Sequence, residues 1–166
     1  AEAAAELEAP FAAAATELGL DADGRLEYAP RAAGPAEEIR EGLAERREAD
    51  LRLGRSSWGP HLDELKLSLG GRSLRRFGSQ GQQRSGLLAL LFAERDVLLA
   101  ARQVAPLLLL DDVMSELDPG RRERLVERLA SGGQAVLTAA SIESLPGASR
   151  ETVVRMPLTV TEAAAA

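Results

Sequence analysis

The sequence predicts an α/β fold, in which strands of a parallel sheet alternate with flanking helices. Residues 80–102 are predicted to form one long helix. The short apolar run Leu107–Leu110 follows, with the composition of a strand buried in a parallel sheet. Asp118 and Pro119 have the residue types of a helix N-cap and a first helical position. Ala135–Thr138 is a second apolar run, so strand and helix alternate through this part of the chain.

Residues 1–53 are predicted to form a mostly helical arm, or lid, that precedes the α/β unit. The first 18 residues are rich in Ala, Glu and Leu, which favour helix, and Gly19 can end that helix. Arg25–Tyr28 is predicted to be a short strand. A second helix is predicted from Pro35, because proline suits a first helical position and two glutamates follow in the first turn. Most of its surface is charged, so we expect it to be exposed to solvent.

Residues 54–166 are predicted to form the α/β unit itself. Leucines alternate with polar residues over 65–69, which indicates a half-buried strand. Gly70-Gly71 is a turn signal, and Arg72–Phe77 would be the returning strand. The long helix is apolar on every side between Leu87 and Ala93, so we expect that stretch to be buried. Two late strands are predicted, at Val153–Met156 and Leu158–Val160.

Composition restricts the classes of function that the chain can have. There is no cysteine, which excludes disulfides and thiolate metal sites. The net charge of −6 argues against a protein that is basic over its whole surface, but it allows a local basic patch. Two arginine clusters could bind DNA or could balance the acidic helices: Arg46, Arg47, Arg52 and Arg55, and Arg72, Arg75, Arg76 and Arg84. No apolar run is long enough to span a membrane and no secretory signal opens the sequence, so we expect a cytoplasmic protein without a membrane partner.

The start of the long helix is a candidate phosphate site. The motif Ser79-Gln80-Gly81-Gln82 stands there, and a helix N-terminus presents unpaired N–H groups at the positive end of the helix dipole. Gly81 would let the backbone approach a ligand closely, and the Ser79 hydroxyl can donate to a phosphate oxygen. Serine and glycine at a helix start are also ordinary capping residues, so this motif alone does not decide between the two roles.

Two acidic motifs follow the apolar run. Asp111 and Asp112 come directly after Leu110, at the carboxyl end of a predicted parallel strand, where ligands bind in α/β sheets. One carboxylate can hold Mg²⁺ and the next can act as a general base toward water. The motif Ser115-Glu116-Leu117-Asp118 comes next, and Asp118 is predicted to cap the following helix.

In this order and spacing, the three motifs resemble the distal half of an ABC-type ATPase head. The resemblance is specific to the RecF family of SMC-like ABC ATPases and covers about Gly59–Ile142. It rests on four motifs: Gly59-Pro60-His61 with Asp63-Glu64, Ser79 to Arg84 as SQGQQR, Leu107 to Asp112 as LLLLDD, and Val113 to Asp118 as VMSELD. The fold class that it implies is the distal part of an ABC-type head preceded by a helical arm.

The resemblance implies ATP and Mg²⁺ as cofactors and a homodimer that forms on ATP binding. Asp111 would bind the metal, Asp112 would be the catalytic base, and Asp118 would be the D-loop aspartate at the dimer interface. Four residues would form the signature that contacts the γ-phosphate of nucleotide held by the other protomer: Ser79, Gln80, Gly81 and Gln82. Members of this family act with RecO and RecR at gapped or stalled DNA to load RecA. The resemblance therefore implies DNA, RecR and RecO as partners, and RecA indirectly.

The sequence departs from this family at one essential motif. A Walker A loop requires the pattern G-x-x-x-x-G-K-[ST], and the only lysine is Lys66, inside a predicted strand. The simplest interpretation is a piece of a longer ATPase, and we expect the chain alone to have no ATPase activity.

Two other functions stay open from the sequence. The chain could be a non-catalytic DNA-binding or protein-interaction module that kept the fold and lost nucleotide binding. It could also be the nucleotide-binding subunit of a transporter. Two observations argue against a transporter. The acid pair is Asp-Asp instead of Asp-Glu, and Thr138 is followed by Ala-Ala-Ser where transporters have a histidine. His61, the only histidine, is assigned no catalytic role.

Overall fold

The structure is a computed structural model that describes residues 2–20, 23–147, 153–154 and 156. The first elements, in chain order, are α1 (Glu2–Glu17), β1 (Gly24–Ala29), α2 (Ala36–Leu53), β2 (Glu64–Leu69), β3 (Arg72–Ser73) and α3 (Leu74–Phe77). The remaining ones are α4 (Gln80–Arg102), β4 (Leu108–Leu110), α5 (Pro119–Ala130) and β5 (Ala135–Leu137). Two short 3₁₀ turns add Pro60–Leu62 and Ile142–Ser144.

The described strands form two separate sheets. Strands β1, β2 and β3 form an antiparallel sheet in that order, with Leu26 opposite Leu67. Strands β4 and β5 pair in parallel, with Leu108 opposite Ala135 and Leu110 opposite Leu137. The α/β architecture with parallel strands and flanking helices is confirmed, and the parallel pair brings the residues that follow Leu110 and Leu137 to one edge.

The core lies between α1 and α4. Phe11 of α1 and Phe92 of α4 are both fully buried, and alanines along the two helices let them approach closely. Met114 and Leu125, from the segment after β4 and from α5, close the same core and are also fully buried. The large apolar side chains are mainly aliphatic, as the low aromatic content of the sequence requires.

Several local predictions are confirmed by the backbone. Gly19 has φ +75° just after α1, the left-handed conformation that glycine adopts without strain. Gly54 ends α2 in the same conformation, with φ +65°, although no cap was predicted there. Helix α2 contains no buried residue, as its charged surface predicted. Asp118 caps α5, whose first residue is Pro119. The division at residues 53 and 54 stays a prediction.

The strand predicted at Arg72–Phe77 is wrong beyond its first two residues. Strand β3 ends at Ser73, and Leu74–Phe77 is one turn of helix instead. Leu74 is 4% exposed and lies against α4 at Gly86, where an added side chain would overlap it. Burial of this leucine on α4 decides the local conformation, because continued alternation would not place it there.

Burial was also overestimated in two places. Leu87 of α4 is 63% exposed and Leu109 of β4 is 70% exposed, so neither the helix segment nor the strand is covered on all sides by the described residues. Val153, Val154 and Met156 have no regular secondary structure, so the strand predicted there is not found, and Leu158–Val160 lies outside the described residues. No helix in the described part combines the length and apolar character that spanning a bilayer requires.

Candidate functional site

The first turn of α4 is held by reciprocal hydrogen bonds. The Gln82 backbone N–H donates to Ser79 Oγ at 3.2 Å, and the Ser79 N–H donates to Gln82 Oε1 at 2.9 Å, which together form a capping box. The N–H groups of Gln80 and Gly81 have no acceptor among the described residues. The capping role of Ser79 is therefore present, and two backbone donors at the positive end of α4 remain free to bind an anion.

Gly81 is in close contact with the segment that follows β4. A Cβ added at Gly81 would lie 3.2 Å from Arg121 Nη1 and 3.4 Å from the Glu116 carbonyl oxygen. Any larger residue would press on these groups. Contacts within the chain thus favour a small residue here, in addition to any approach of a ligand.

Arg84 connects α4 to the acidic segment that follows β4. Its Nη2 donates to the Asp112 carbonyl oxygen at 2.9 Å, and its Nη1 lies 3.2 Å from a Glu116 carboxylate oxygen. The sequence left open whether Arg84 binds DNA with its neighbouring arginines. In the structure the Arg84 guanidinium binds groups of the same chain, so Arg84 acts to position the segment that contains Asp112 and Glu116.

Asp111 and Asp112 are exposed at the carboxyl end of β4, and Thr138 organises both. Thr138 follows β5 as Asp111 follows β4, so the parallel register sets them side by side. The Thr138 hydroxyl donates to Asp111 Oδ1 and accepts from the Asp112 N–H at 3.0 Å. Asp112 has φ +43°, a left-handed conformation that is unfavourable for a residue with a side chain and is concentrated at functional sites.

The acid pair fits a magnesium ion that is held together with phosphate. Carboxylate oxygens are the hard ligands that Mg²⁺ prefers, and the ion usually keeps several waters and takes one or two protein carboxylates. No group of three or more His, Cys, Asp or Glu residues in the described part of the chain could hold a metal by itself. Asp111, fixed by Thr138, is therefore suited to supply one ligand beside phosphate and water.

Asp118 is fixed at the start of α5. Its Oδ1 accepts from the Arg121 N–H at 3.0 Å and its Oδ2 lies 2.9 Å from Arg121 Nη1. The Arg121 backbone N–H, followed by the charge of the Arg121 guanidinium, holds the pKa of the Asp118 carboxyl below its usual range. Arg121 also borders Gly81, so the cap of α5 and the first turn of α4 lie against each other.

The structure thus brings three of the seven predicted site residues into one cluster. The cluster contains Gly81, Asp112 and Asp118, joined by Arg84 and Arg121, whose part in it the sequence did not reveal. Thr138 was also missed, although it stands directly after the second apolar run, as Asp111 does after the first. Its matching position after an apolar run could have identified Thr138 as a neighbour of Asp111 from the sequence.

The Gly-Pro-His segment is organised separately from this cluster. Asp63 accepts hydrogen bonds from the Tyr28 hydroxyl and from the Arg31 backbone N–H, at 2.8 Å for the latter. These bonds, that from Tyr28 first, lower the pKa of the Asp63 carboxyl. Gly59 has φ +134°, and a Cβ there would lie 3.0 Å from the His61 ring. Asp63, directly before β2, therefore connects that strand to β1 and to the loop after β1.

Over most of its length the chain is similar to curated proteins of one name. The chain is 46% identical to the DNA replication and repair protein RecF of Anaeromyxobacter dehalogenans strain 2CP-C over 135 residues, which is 81% of this chain and 36% of that protein. It is 46% identical to RecF of Synechococcus sp. strain CC9605 over 109 residues, or 66% of this chain and 30% of that protein. The chain belongs to the RecF family.

Solved structures agree with the RecF assignment. The recombination mediator protein RecF-ATPrS in the RecFOR pathway matches with a TM-score of 0.63 and 25% identity, over 85% of this chain and 40% of that one. An SMC head bound to the C-terminal winged-helix domain of ScpA matches with a TM-score of 0.52 and 15% identity, over 87% of this chain and 37% of that one, which supports the fold alone. No protein-family model matches the sequence. The chain spans about a third of the length of the RecF relatives named above.

Proposed function

We propose that this chain supplies the signature and Walker B residues of a RecF-type DNA-repair ATPase, which binds ATP and DNA and dimerises on ATP. The observation that carries the proposal is the link from Arg84 to Asp112 and Glu116. It couples a helix start suited to phosphate with a carboxylate pair suited to metal and water. The relatives are named DNA replication and repair proteins, and two similar structures are named RecF-ATPrS and RecF-ATP.

Each site residue has a part in this proposal. Asp111 would hold Mg²⁺, which neutralises charge on the phosphates when it is bound. Asp112 would accept a proton from the attacking water. The free N–H groups at Gln80 and Gly81, with the Ser79 hydroxyl, would contact the γ-phosphate bound by the other protomer. Asp118 would lie at the dimer interface as the D-loop aspartate.

The domain division and the partners are part of the same proposal. Residues 1–53 would act as the arm, or lid, and residues 54–166 as the distal half of the ATPase head. DNA, RecO and RecR would be direct partners, with RecA loaded as the outcome. The name RecFOR pathway, attached to the similar structures, supports this set of partners.

A non-catalytic module is the second candidate, and one observation favours it. The capping box explains Ser79 and Gln82 without a nucleotide, and Gly81 is explained by its contact with Arg121. A module that kept the fold for DNA or protein binding would keep the same residues. The assignment to the RecF family replaces the transporter interpretation.

Asp112→Asn tests the proposal against this alternative. The substitution is made in a chimera in which this chain replaces the matching segment of Anaeromyxobacter dehalogenans RecF, so that a phosphate-binding loop is present. We expect ATP binding and ATP-dependent dimerisation to persist and hydrolysis to fall by a factor of about 10²–10⁴, the usual contribution of a general base. Phosphate release and light scattering measure the two properties. The chain by itself should show no turnover, because positioning of the β- and γ-phosphates is most of phosphoryl-transfer catalysis.

The outcomes separate the two candidates. Hydrolysis at the same rate in the chimera and its Asp112→Asn variant means that Asp112 is not the base. If the chain alone hydrolyses ATP and Asp112→Asn abolishes that activity, the phosphate-binding loop supplied by the chimera is not needed for hydrolysis. A chimera that binds no ATP, although the unaltered relative does, supports the non-catalytic module.

A further inference from the structure

One stretch of this acidic chain contains no acidic residue. Between Leu65 and Ala93 lie five of the 20 basic residues and none of the 26 acidic residues, although the net charge of the chain is −6. The stretch includes β3, α3 and the first half of α4. A protein that is acidic overall therefore carries a stretch of net positive charge that includes the proposed signature.

Two arginines in this stretch stack on an exposed aromatic ring. Phe77 is 57% exposed, and the guanidinium carbons of Arg72 and Arg76 lie 4.8 Å and 5.6 Å from its ring centroid. Stacking holds a guanidinium by its face and leaves its in-plane N–H groups available. Neither guanidinium has an acceptor among the described residues. The three side chains form what we call the Arg–Phe patch.

The backbone that carries the Arg–Phe patch is held in place by packing and by a hydrogen bond. Leu74 is buried against α4, and the Gly78 N–H donates to the Leu74 carbonyl oxygen at 2.9 Å, which closes the single turn of α3. On the other side, a Cβ added at Gly71 would meet no atom within 4 Å, so the turn that leads to Arg72 is open. The backbone that carries the patch is thus fixed on the side of α4 and open at the turn before Arg72.

The other arginines near this patch are committed elsewhere. Arg84 binds within the candidate site, and Arg75 lies 3.9 Å from Glu64. In the second arginine cluster, Arg46 stacks on Trp58 and Arg52 pairs with Glu48. Helix α2, which carries three of that cluster's four arginines, has six acidic and four basic residues. Its net charge is negative, which disfavours it as a phosphate-binding surface.

We propose that Arg72, Arg76 and Phe77 bind the phosphodiester backbone of DNA. Guanidinium groups bind phosphate with paired, charge-assisted hydrogen bonds, and contacts to the backbone position a protein without reading its sequence. The ring orients the two donors. This inference rests on the proposed function, because it locates the DNA surface of that ATPase. The patch ends two residues before Ser79, so DNA bound there lies next to the signature.

The test compares two matched double variants of the 166-residue chain. Arg72→Gln with Arg76→Gln removes the patch charges, and Arg47→Gln with Arg52→Gln removes two charges from α2. Fluorescence anisotropy with labelled single-stranded and duplex DNA is measured over a range of salt. For the patch variant we expect the slope of log K against log salt to fall by about 1.8 on duplex and about 1.4 on single strands, the values for two lost phosphate contacts. The α2 variant should keep the slope of the unaltered chain.

Phe77→Leu provides a second, independent variant. It keeps the charge and most of the apolar volume, and it removes the face on which the guanidiniums stack. We expect weaker binding of both DNA forms although no charge is lost, with an unchanged circular dichroism spectrum and melting temperature. A surface that acts only through net charge would bind as before, and that result contradicts the orienting role of the ring.

The remaining outcomes separate this inference from the proposed function. Equal slopes for the patch variant and the unaltered chain show that the surface is wrong while DNA binding stands. Equal losses in the two double variants indicate diffuse electrostatics and also overturn the patch. No DNA binding by the unaltered chain overturns the patch, whereas no DNA binding by the chimera overturns the DNA-binding part of the proposed function. In the chimera, a patch variant that binds DNA normally but no longer dimerises with ATP shows that the guanidiniums serve nucleotide instead.

Discussion

Replacing Ser79 by Asp separates the capping role of this residue from its proposed contact with phosphate. Asp and Ser are about equally good N-caps, so the Gln82 N–H keeps an acceptor and the helix dipole favours the new charge by about 0.3–1 kcal/mol. Stability should be unchanged or slightly higher. The γ-phosphate of a partner would instead meet a like charge. Two unit charges about 4 Å apart near a protein surface repel by about 4 kcal/mol, which weakens ATP-dependent dimerisation roughly a thousandfold.

Ser79→Ala gives the opposite pattern and is the matched control. It removes the 3.2 Å bond from Gln82 and should cost about 1 kcal/mol, or about 2–4 °C in melting temperature. The free N–H groups of Gln80 and Gly81 remain, so dimerisation with ATP should largely survive. Ser79→Arg, which fills the approach to the helix start, should abolish dimerisation and leave one-site ATP binding nearly intact.

Light scattering of the chimera with and without ATP measures dimerisation, and a fluorescent nucleotide measures one-site binding. Thermal melting of the same samples measures the capping energy. A Ser79→Asp protein that still dimerises with ATP would falsify the proposed signature contact and leave Ser79 only its place in the capping box.

Asp118→Ala should lower the free energy of unfolding at neutral pH by about 0.5 kcal/mol, at the low end for a cap because the side chain is half exposed. Because folding lowers the pKa of Asp118, its contribution is complete above the unfolded value of about 3.9 and is lost as pH falls through the lower folded pKa. Urea unfolding of both proteins should therefore converge in strong acid, and a constant difference would contradict the linkage. Asp63→Ala and Tyr28→Phe each remove one side of the Tyr28–Asp63 bond, and the double variant should be no less stable than the worse single one. Fully additive losses in that cycle would show that the bond does not couple the two positions.

Local chemistry explains which parts of the fold and site could be predicted from the sequence. The helix that starts at Ser79 and the one capped by Asp118 depend on interactions within four residues, so their residue types predict them directly. The parallel pairing of β4 and β5 was also predictable as a class, since two short apolar runs flank a helix. The placement of Asp111 at a strand end follows from the same pattern.

The tertiary structure decided the points that depend on distant neighbours. The sequence grouped Arg76 and Arg84 in one cluster, yet one stacks on an exposed ring and the other binds the Asp112 carbonyl oxygen, because α4 carries Arg84 to the end of β4. Leu74 turned a predicted strand into a helical turn by its burial on α4. The sequence by itself determined which residues can do the chemistry, since caps and strand ends are local. Packing of α4 against the segment after β4 decided which of them meet, because contacts across 28 or more residues leave no periodic trace in the chain.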